Sequence, residues 1–274
     1  MIRTRLITFI GLLTAFGLTL ELLAFPIMAV APYLLYAPGD IPLLLVGYAF
    51  GPVWGMVSVG MKAVLYSLIR GQGGMWGTLM HFIASSAYVV VFCLIVRAKK
   101  TYPMMVVALI AATLARALVM IPANLVVTPI YANIPVSVVK GMLIPVIIPF
   151  NLIHGGVNAL LFLGLFGYLQ PIWNDWIKKI GVLTPIKRAS YSYLISTSII
   201  GFFFGGTIAF LLRPFSSTDP ALRLKLMDIL SRGAKLEENL IPLAQQSFNY
   251  LIIGMILGIL LGLLAGQIIQ RKRV

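Results

Sequence analysis

Residues 41–69 read IPLLLVGYAFGPVWGMVSVGMKAVLYSLI. The run is almost wholly apolar and exceeds the roughly 20 residues a helix needs to cross a hydrocarbon core. Gly51-Pro52 interrupts it. Proline has no N–H to donate and tends to end or kink a helix. The run therefore divides into two short or tilted spans, 41–51 and 53–69, and that division sets the parity of every later span.

The other apolar runs follow from turns and charges. Span one covers 6–29 and is too long for the h-region of a cleavable signal peptide, about 7–15 residues. A Pro-rich stretch at 30–40 and the glycine loop 70–74 flank the divided run. Span four covers 76–96, span five 103–127 and span six 143–169, with breaks expected near Pro145 and Pro149. Residues 128–135 (TPIYANIP) read as a loop or a partly re-entrant segment. A basic linker precedes span seven (191–212) and span eight (249–269). Between those two, 214–247 is polar, and Leu222, Leu226, Ile229 and Leu230 recur there at helical spacing.

Composition agrees. Of the 274 residues, 60% are hydrophobic and only 10% are Asp, Glu, Lys or Arg. An average soluble domain carries about 25% charged residues, so too few polar side chains remain to cover a soluble surface. The expected fold is an all-α polytopic membrane bundle, six spans in residues 1–172 and two more in 173–274, with an outer loop at 214–247. The formal charge of +14 reads as membrane topology and not as nucleic-acid binding, because the basic residues flank apolar runs. With both termini inside, Arg3, Arg5, Arg97, Lys99, Lys100, Lys178, Lys179, Lys187, Arg188, Arg271, Lys272 and Arg273 all fall on the cytoplasmic side, as the positive-inside rule requires. The single cysteine, Cys93, lies in an apolar run and reads as packing.

Polar residues inside such spans are the candidates for function, because hydrocarbon penalises them unless they are paired. Asn124, Asn151, His154 and Asn158 stand out. The last three lie three and four residues apart, so they share one helix face. Their groups either bind neighbouring helices or read a ligand edge. Asp40 either caps the helix that begins there or contacts a ligand. Lys62 either snorkels, pairs with Glu21 or Asp40, or faces a wet cavity, and Arg116 raises the same question. His81 reads as a packing residue. Tyr33, Tyr36, Trp76 and Tyr131 fall at the outer boundary, as interfacial aromatics or as platforms for a flat ring. Gly11, Ala15 and Thr19 form a small-residue row suited to close helix approach, and Gly254, Gly258, Gly262 and Gly266 form another, expected to pack on span seven. The chain has no phosphate-binding loop, no HExxH and no paired carboxylates in a span. No catalytic set, metal site or cofactor is expected.

Asp40-Ile41-Pro42, Phe50-Gly51-Pro52-Val53-Trp54-Gly55, Lys62, Gly73-Gly74 and Gly77 resemble the S components of energy-coupling factor (ECF) vitamin transporters. Asn124, Pro129-Ile130-Tyr131 and Ile148-Pro149-Phe150-Asn151 look like the riboflavin branch. The resemblance covers 5–172. It implies capture of a vitamin from outside, without an enzymatic step, by a protein that lacks its own motor. The implied partners are a transmembrane coupling subunit and two cytoplasmic ATPases. Gly11, Ala15 and Thr19 map to the family's docking row, and Asn124 and Asn151 map to flavin-contacting positions. Riboflavin members usually carry Lys where this chain has His154, and commonly Asn where it has His81. A related vitamin or precursor is the alternative ligand. A lipid-directed membrane enzyme and a ligand-free structural protein are the other readings.

Overall fold

The computed structural model describes residues 2–28, 31, 33–70, 74–180, 197–201, 257–263, 265 and 267. The glycines and Gln72 of loop 71–73, most of spans seven and eight, the 214–247 loop and the C-terminal basic residues lie outside the described residues.

The chain runs through α1 (Ile2–Glu21), a two-stranded antiparallel hairpin of β1 (Phe25–Pro26) and β2 (Leu35–Tyr36), α2 (Asp40–Phe50), α3 (Pro52–Arg70), α4 (Gly74–Ala98), α5 (Tyr102–Ala132), α6 (Val136–Met142), a π-helical turn at Leu143–Ile147, and α7 (Ile148–Ile180). The all-α expectation holds. Pro52–Arg70, Gly74–Ala98, Tyr102–Ala132 and Val136–Asp175 are long and apolar enough to cross a membrane, and Leu6–Glu21 and Asp40–Phe50 are shorter apolar helices. Two compact units are formed. One comprises Met1–Ile27, Tyr33–Phe162 and Gln170–Arg188, the other Met28–Pro32, Leu163–Leu169 and Ala189–Val274.

The Gly51-Pro52 division is observed. Gly51 sits at φ 102°, ψ 170°, open to glycine and closed to most residues with a Cβ. Its N–H closes α2 on the Gly47 carbonyl at 3.0 Å, and its own carbonyl opens α3 by accepting from Gly55 N–H at 3.0 Å. Pro52, as the first residue of α3, loses nothing by lacking a donor. The turn lies beside Arg97, whose Nη1 would be 2.5 Å from a Cβ on Gly51.

Three boundaries differ from expectation. α1 ends at Glu21, and the hairpin occupies what reads as the end of span one. The expected loop at 128–135 is helical to Ala132; α5 continues through Pro122 and Pro129 and stops at Asn133, which adopts the left-handed conformation at φ 52°. Backbone groups in hydrocarbon must be satisfied within the segment or by neighbouring polar groups, which outweighs the local preference of one proline. Between the two prolines Asn124 Nδ2 donates to the Met120 carbonyl at 2.7 Å, and Thr128 Oγ1 donates to Asn124 Oδ1 at 3.0 Å, so these polar side chains are satisfied along the helix itself. Span six begins as α6, passes through the π turn that contains Pro145, and continues as α7 past the expected end at 169 to Ile180. Two prolines four residues apart each remove one backbone donor, and the wider turn lies where the first of them falls.

The core of the first unit lies among α2, α3, α4 and α5, where Leu43, Leu44, Val59, Val89, Phe92, Met105 and Ala112 are fully buried. In lipid, apolar burial yields little net gain, so close packing carries the association. Glycines permit it. A Cβ on Gly55 would lie 2.8 Å from Val89 Cγ1 and 3.0 Å from the Gly47 Cα, and one on Gly47 would lie 3.0 Å from Val89 Cγ1. In the second unit, Gly201 abuts the Gly258 carbonyl and lies against Gly262, as the glycine row predicts.

Gly55→Ala is expected to cost about 1–3 kcal/mol by overpacking, read as a lower melting temperature in detergent. Gly11→Ala, with open space around the added carbon, incurs no overpacking and is expected not to lower the melting temperature.

Candidate functional site

α1 and α2 approach closely because glycines face each other. A Cβ on Gly17 would lie 2.5 Å from Leu43 Cδ1 and 2.8 Å from the Gly39 carbonyl, and one on Gly39 would overlap the Glu21 carboxylate. That approach brings Glu21, the last residue of α1, to Asp40, the first of α2. Lys62 of α3 joins them. Its Nζ donates to Glu21 Oε2 at 2.7 Å and to Asp40 Oδ1 at 2.6 Å. Asp40 Oδ2 accepts from Ser85 Oγ of α4 at 2.9 Å and from Arg116 Nη1 of α5 at 3.0 Å. His81 Nε2 stands 3.6 Å from Glu21 Oε1. Glu21, Asp40, Lys62 and Arg116 are all buried, and two carboxylates balance two cations. Asp40 thus makes no side-chain cap, a correction to one of its two expected roles: both its oxygens are engaged by the ion network. Glu21, Asp40 and His81 also hold ligand atoms within 4.8 Å of one another. Lys62 ammonium supplies the positive charge between those carboxylates.

The second polar group is the α7 face. Asn151, His154 and Asn158 are all buried. Gly155 seats this stretch: a Cβ there would lie 3.0 Å from Thr113 Cγ2 of α5, and its carbonyl accepts from Tyr88 Oη of α4 at 3.1 Å. Tyr36 of β2 reaches the same face. Its hydroxyl donates to Asn158 Oδ1 at 3.0 Å, and its ring meets the His154 ring edge-on at 5.0 Å. Burial, reinforced by Asp40 and Glu21, pushes the Tyr36 phenol above its ordinary range and keeps it a donor. Phe150 meets His154 at 5.6 Å. Asn151 Nδ2 donates to the Ile147 carbonyl at 2.8 Å. Asn151 Oδ1, both His154 ring nitrogens and Asn158 Nδ2 have no hydrogen-bond partner among the described residues. A buried polar atom without a partner costs on the order of 1–3 kcal/mol, so this face is built to be completed by something else.

The structure therefore brings Tyr36, His154 and Asn158 into contact and sets Asn151 one helical turn from His154. Among the described residues Asn124 engages only its own helix, at Met120 and Thr128. Met120 and Ile147, whose carbonyls hold the two carboxamides, share one apolar cluster with Ala84 and Val139. Tyr131 and Tyr33 are exposed, at 50% and 58%, apart from these contacts. Tyr88 and Ser85 were invisible in the sequence: both sit in the apolar span of α4, and only a partner helix gives their hydroxyls a task. Gly11, Ala15 and Thr19 form an exposed row on α1.

Residues 5–166 match the family model for the ECF transporter substrate-specific component. The riboflavin transporter RibU of Staphylococcus aureus (strain TCH60) is 32% identical over 173 residues, which is 59% of this chain and 88% of that protein. The riboflavin transporter FmnP of Bacillus subtilis (strain 168) is 25% identical over 186 residues, 65% of this chain and 96% of that protein. A solved structure described as "Structure and mechanism of the S component of a bacterial ECF transporter" superposes with a TM-score of 0.55 and 28% identity, over 62% of this chain and 98% of that one.

Removing one partner of a buried ion pair strands the other, at roughly 3–5 kcal/mol. Lys62→Ala is expected to lose that much in a denaturant titration of the detergent-solubilised protein. Val139→Ala, in the apolar cluster, is expected to lose less, because it leaves no charge unpaired.

Proposed function

The chain belongs to the family of ECF transporter substrate-specific components, and we propose that it captures riboflavin, or a closely related flavin, at the outer side of the cell membrane for uptake. The observation that carries this reading is the α7 face: a row of buried, unsatisfied polar atoms beside the rings of Tyr36 and Phe150. A planar heterocycle with alternating C=O and N–H groups suits it, and the relatives named as riboflavin transporters support the choice.

In this reading the protein binds its ligand and performs no chemistry on it. Asn151 and His154 hydrogen-bond the polar edge of the ring, and Asn124 turns from its own helix to join them. Tyr131 borders the entrance. A neutral hydrogen bond nets only about 0.5–1.5 kcal/mol, so burial of the flat ring supplies most of the affinity. Asp40 acts through the ion network, which holds α2 and the hairpin bearing Tyr36.

Both termini lie in the cytoplasm. The Gly51 turn beside Arg97 supports this orientation, since it puts that turn with the basic cluster. The hairpin and the ion network then face the outer half. Driving force comes from a transmembrane coupling subunit and two cytoplasmic ATPases, with Gly11, Ala15 and Thr19 as the docking row. Residues 1–172 form the vitamin-binding unit, and 173–274 add two spans to it.

His154 and His81 favour a second ligand within the same fold, another vitamin or precursor, because they stand where riboflavin members usually have Lys and Asn. Purification decides between them. The protein is expected to come off the column yellow, and mass spectrometry of the denatured sample is expected to release a flavin. Asn151→Leu should bind riboflavin roughly tenfold or more weakly by fluorescence quenching. A colourless protein that quenches no flavin removes the assignment.

A further inference from the structure

The two asparagines of the α7 face each have one half engaged, and that sets which half is left for a ligand. Asn151 Nδ2 donates to the Ile147 carbonyl. A carbonyl only accepts, so the nitrogen must lie on that side and Oδ1 remains as a free acceptor. Asn158 Oδ1 accepts from the Tyr36 hydroxyl, so Nδ2 remains as a free donor. His154 lies between them with both ring nitrogens open. A neutral imidazole offers one donor and one acceptor, and exchange of tautomers swaps them. These three side chains are exposed by only 3%, 2% and 0%. From residue 151 to residue 158, about 10 Å of helix, the face thus presents acceptor, adaptable group and donor. The nearby charges are paired among themselves, Lys62 with Glu21 and Asp40, and Arg116 with Asp40.

The geometry points to Asn158 as a ligand-reading donor, with Tyr36 as the positioning residue that sets its sense, so that the ligand must turn an N–H toward Asn151 and an acceptor toward Asn158. This rests on the flavin reading and refines it. In a flavin the N–H is the ring imide, and the acceptor is one of the two carbonyls, a ring nitrogen or a chain hydroxyl. Tyr36 comes from the hairpin between α1 and α2. The donor sense of Asn158 therefore depends on the contact that the hairpin makes with α7. Without the Tyr36 hydroxyl the carboxamide turns over freely, and the face loses its polarity at that end.

The test is a set of dissociation constants, by flavin fluorescence quenching, for the purified full chain. The ligands are riboflavin and analogues in which one acceptor is weakened or removed: 1-deaza, 5-deaza, 2-thio and 4-thio forms, and lumiflavin, which lacks the hydroxyl chain. Wild type is expected to bind one of these roughly tenfold more weakly than riboflavin. In Asn158→Leu and in Tyr36→Phe that same analogue should bind as well as riboflavin does, because the donor that distinguished them is gone or unoriented. Asn158→Asp should weaken riboflavin further than Asn158→Leu, since it sets an acceptor against an acceptor. A discrimination profile unchanged in both variants, or a wild type that discriminates against no analogue, overturns the assignment. Binding of any flavin by a variant certifies its fold; if Asn158→Leu binds none, Tyr36→Phe alone decides. A wild type that binds no flavin at all sinks the flavin reading instead.

Discussion

Lys62 is the constraint on which the rest of the structure depends. An ammonium group inside an apolar helix must find anions or leave the membrane. It finds two, Glu21 and Asp40, at 2.7 and 2.6 Å. Asp40 then gathers Arg116 and Ser85, and the ends of α1 and α2 are tied to α3, α4 and α5. Association in lipid draws little from the hydrophobic effect, so such a network can specify which helices meet. It also holds the hairpin between Glu21 and Asp40 near the bundle, which is how Tyr36 arrives at α7.

Glycine and proline do the complementary work on the backbone. Gly51-Pro52 folds one apolar run into two helices. Gly17 and Gly39 let α1 and α2 touch closely enough for the ion pairs to form, and Gly155 lets α7 sit against Thr113. Pro145 lies inside the π turn that leads into the polar face, and Pro149 follows it in the first turn of α7. The Asn151 amide reaches back to the last carbonyl of that turn, at Ile147. Irregular backbone and ligand face are thus one construction: the group that steadies the turn is the group whose other half is left open.

Much of this was legible in the residues. The split of 41–69, the helical class and the shared face of Asn151, His154 and Asn158 follow from length, hydropathy and helical period, which are local properties. The pairing of Lys62 with Glu21 or Asp40 was one of few options open to a buried cation. The errors have a common cause. Residues 128–135 read as a loop because Pro129 and Asn133 are turn formers, yet inside the bundle the helix persists to Ala132. Asp40 read as a possible cap because it precedes a helix, yet its oxygens face three other helices. Asn124 maps to a flavin-contacting position, and in the structure its carboxamide is engaged along its own helix between two prolines.

What the sequence by itself determined is the set of apolar segments, the chain reversal at Gly51-Pro52 and the polar residues too costly to bury without a purpose. Each follows from the chemistry of neighbouring residues. Only the tertiary structure decided which of those polar residues are satisfied and which wait: Asp40, Lys62, Glu21 and Arg116 neutralise one another, whereas Asn151, His154 and Asn158 keep open atoms beside Tyr36. Whether a buried group has a partner depends on segments far apart in the chain, and no local pattern records it.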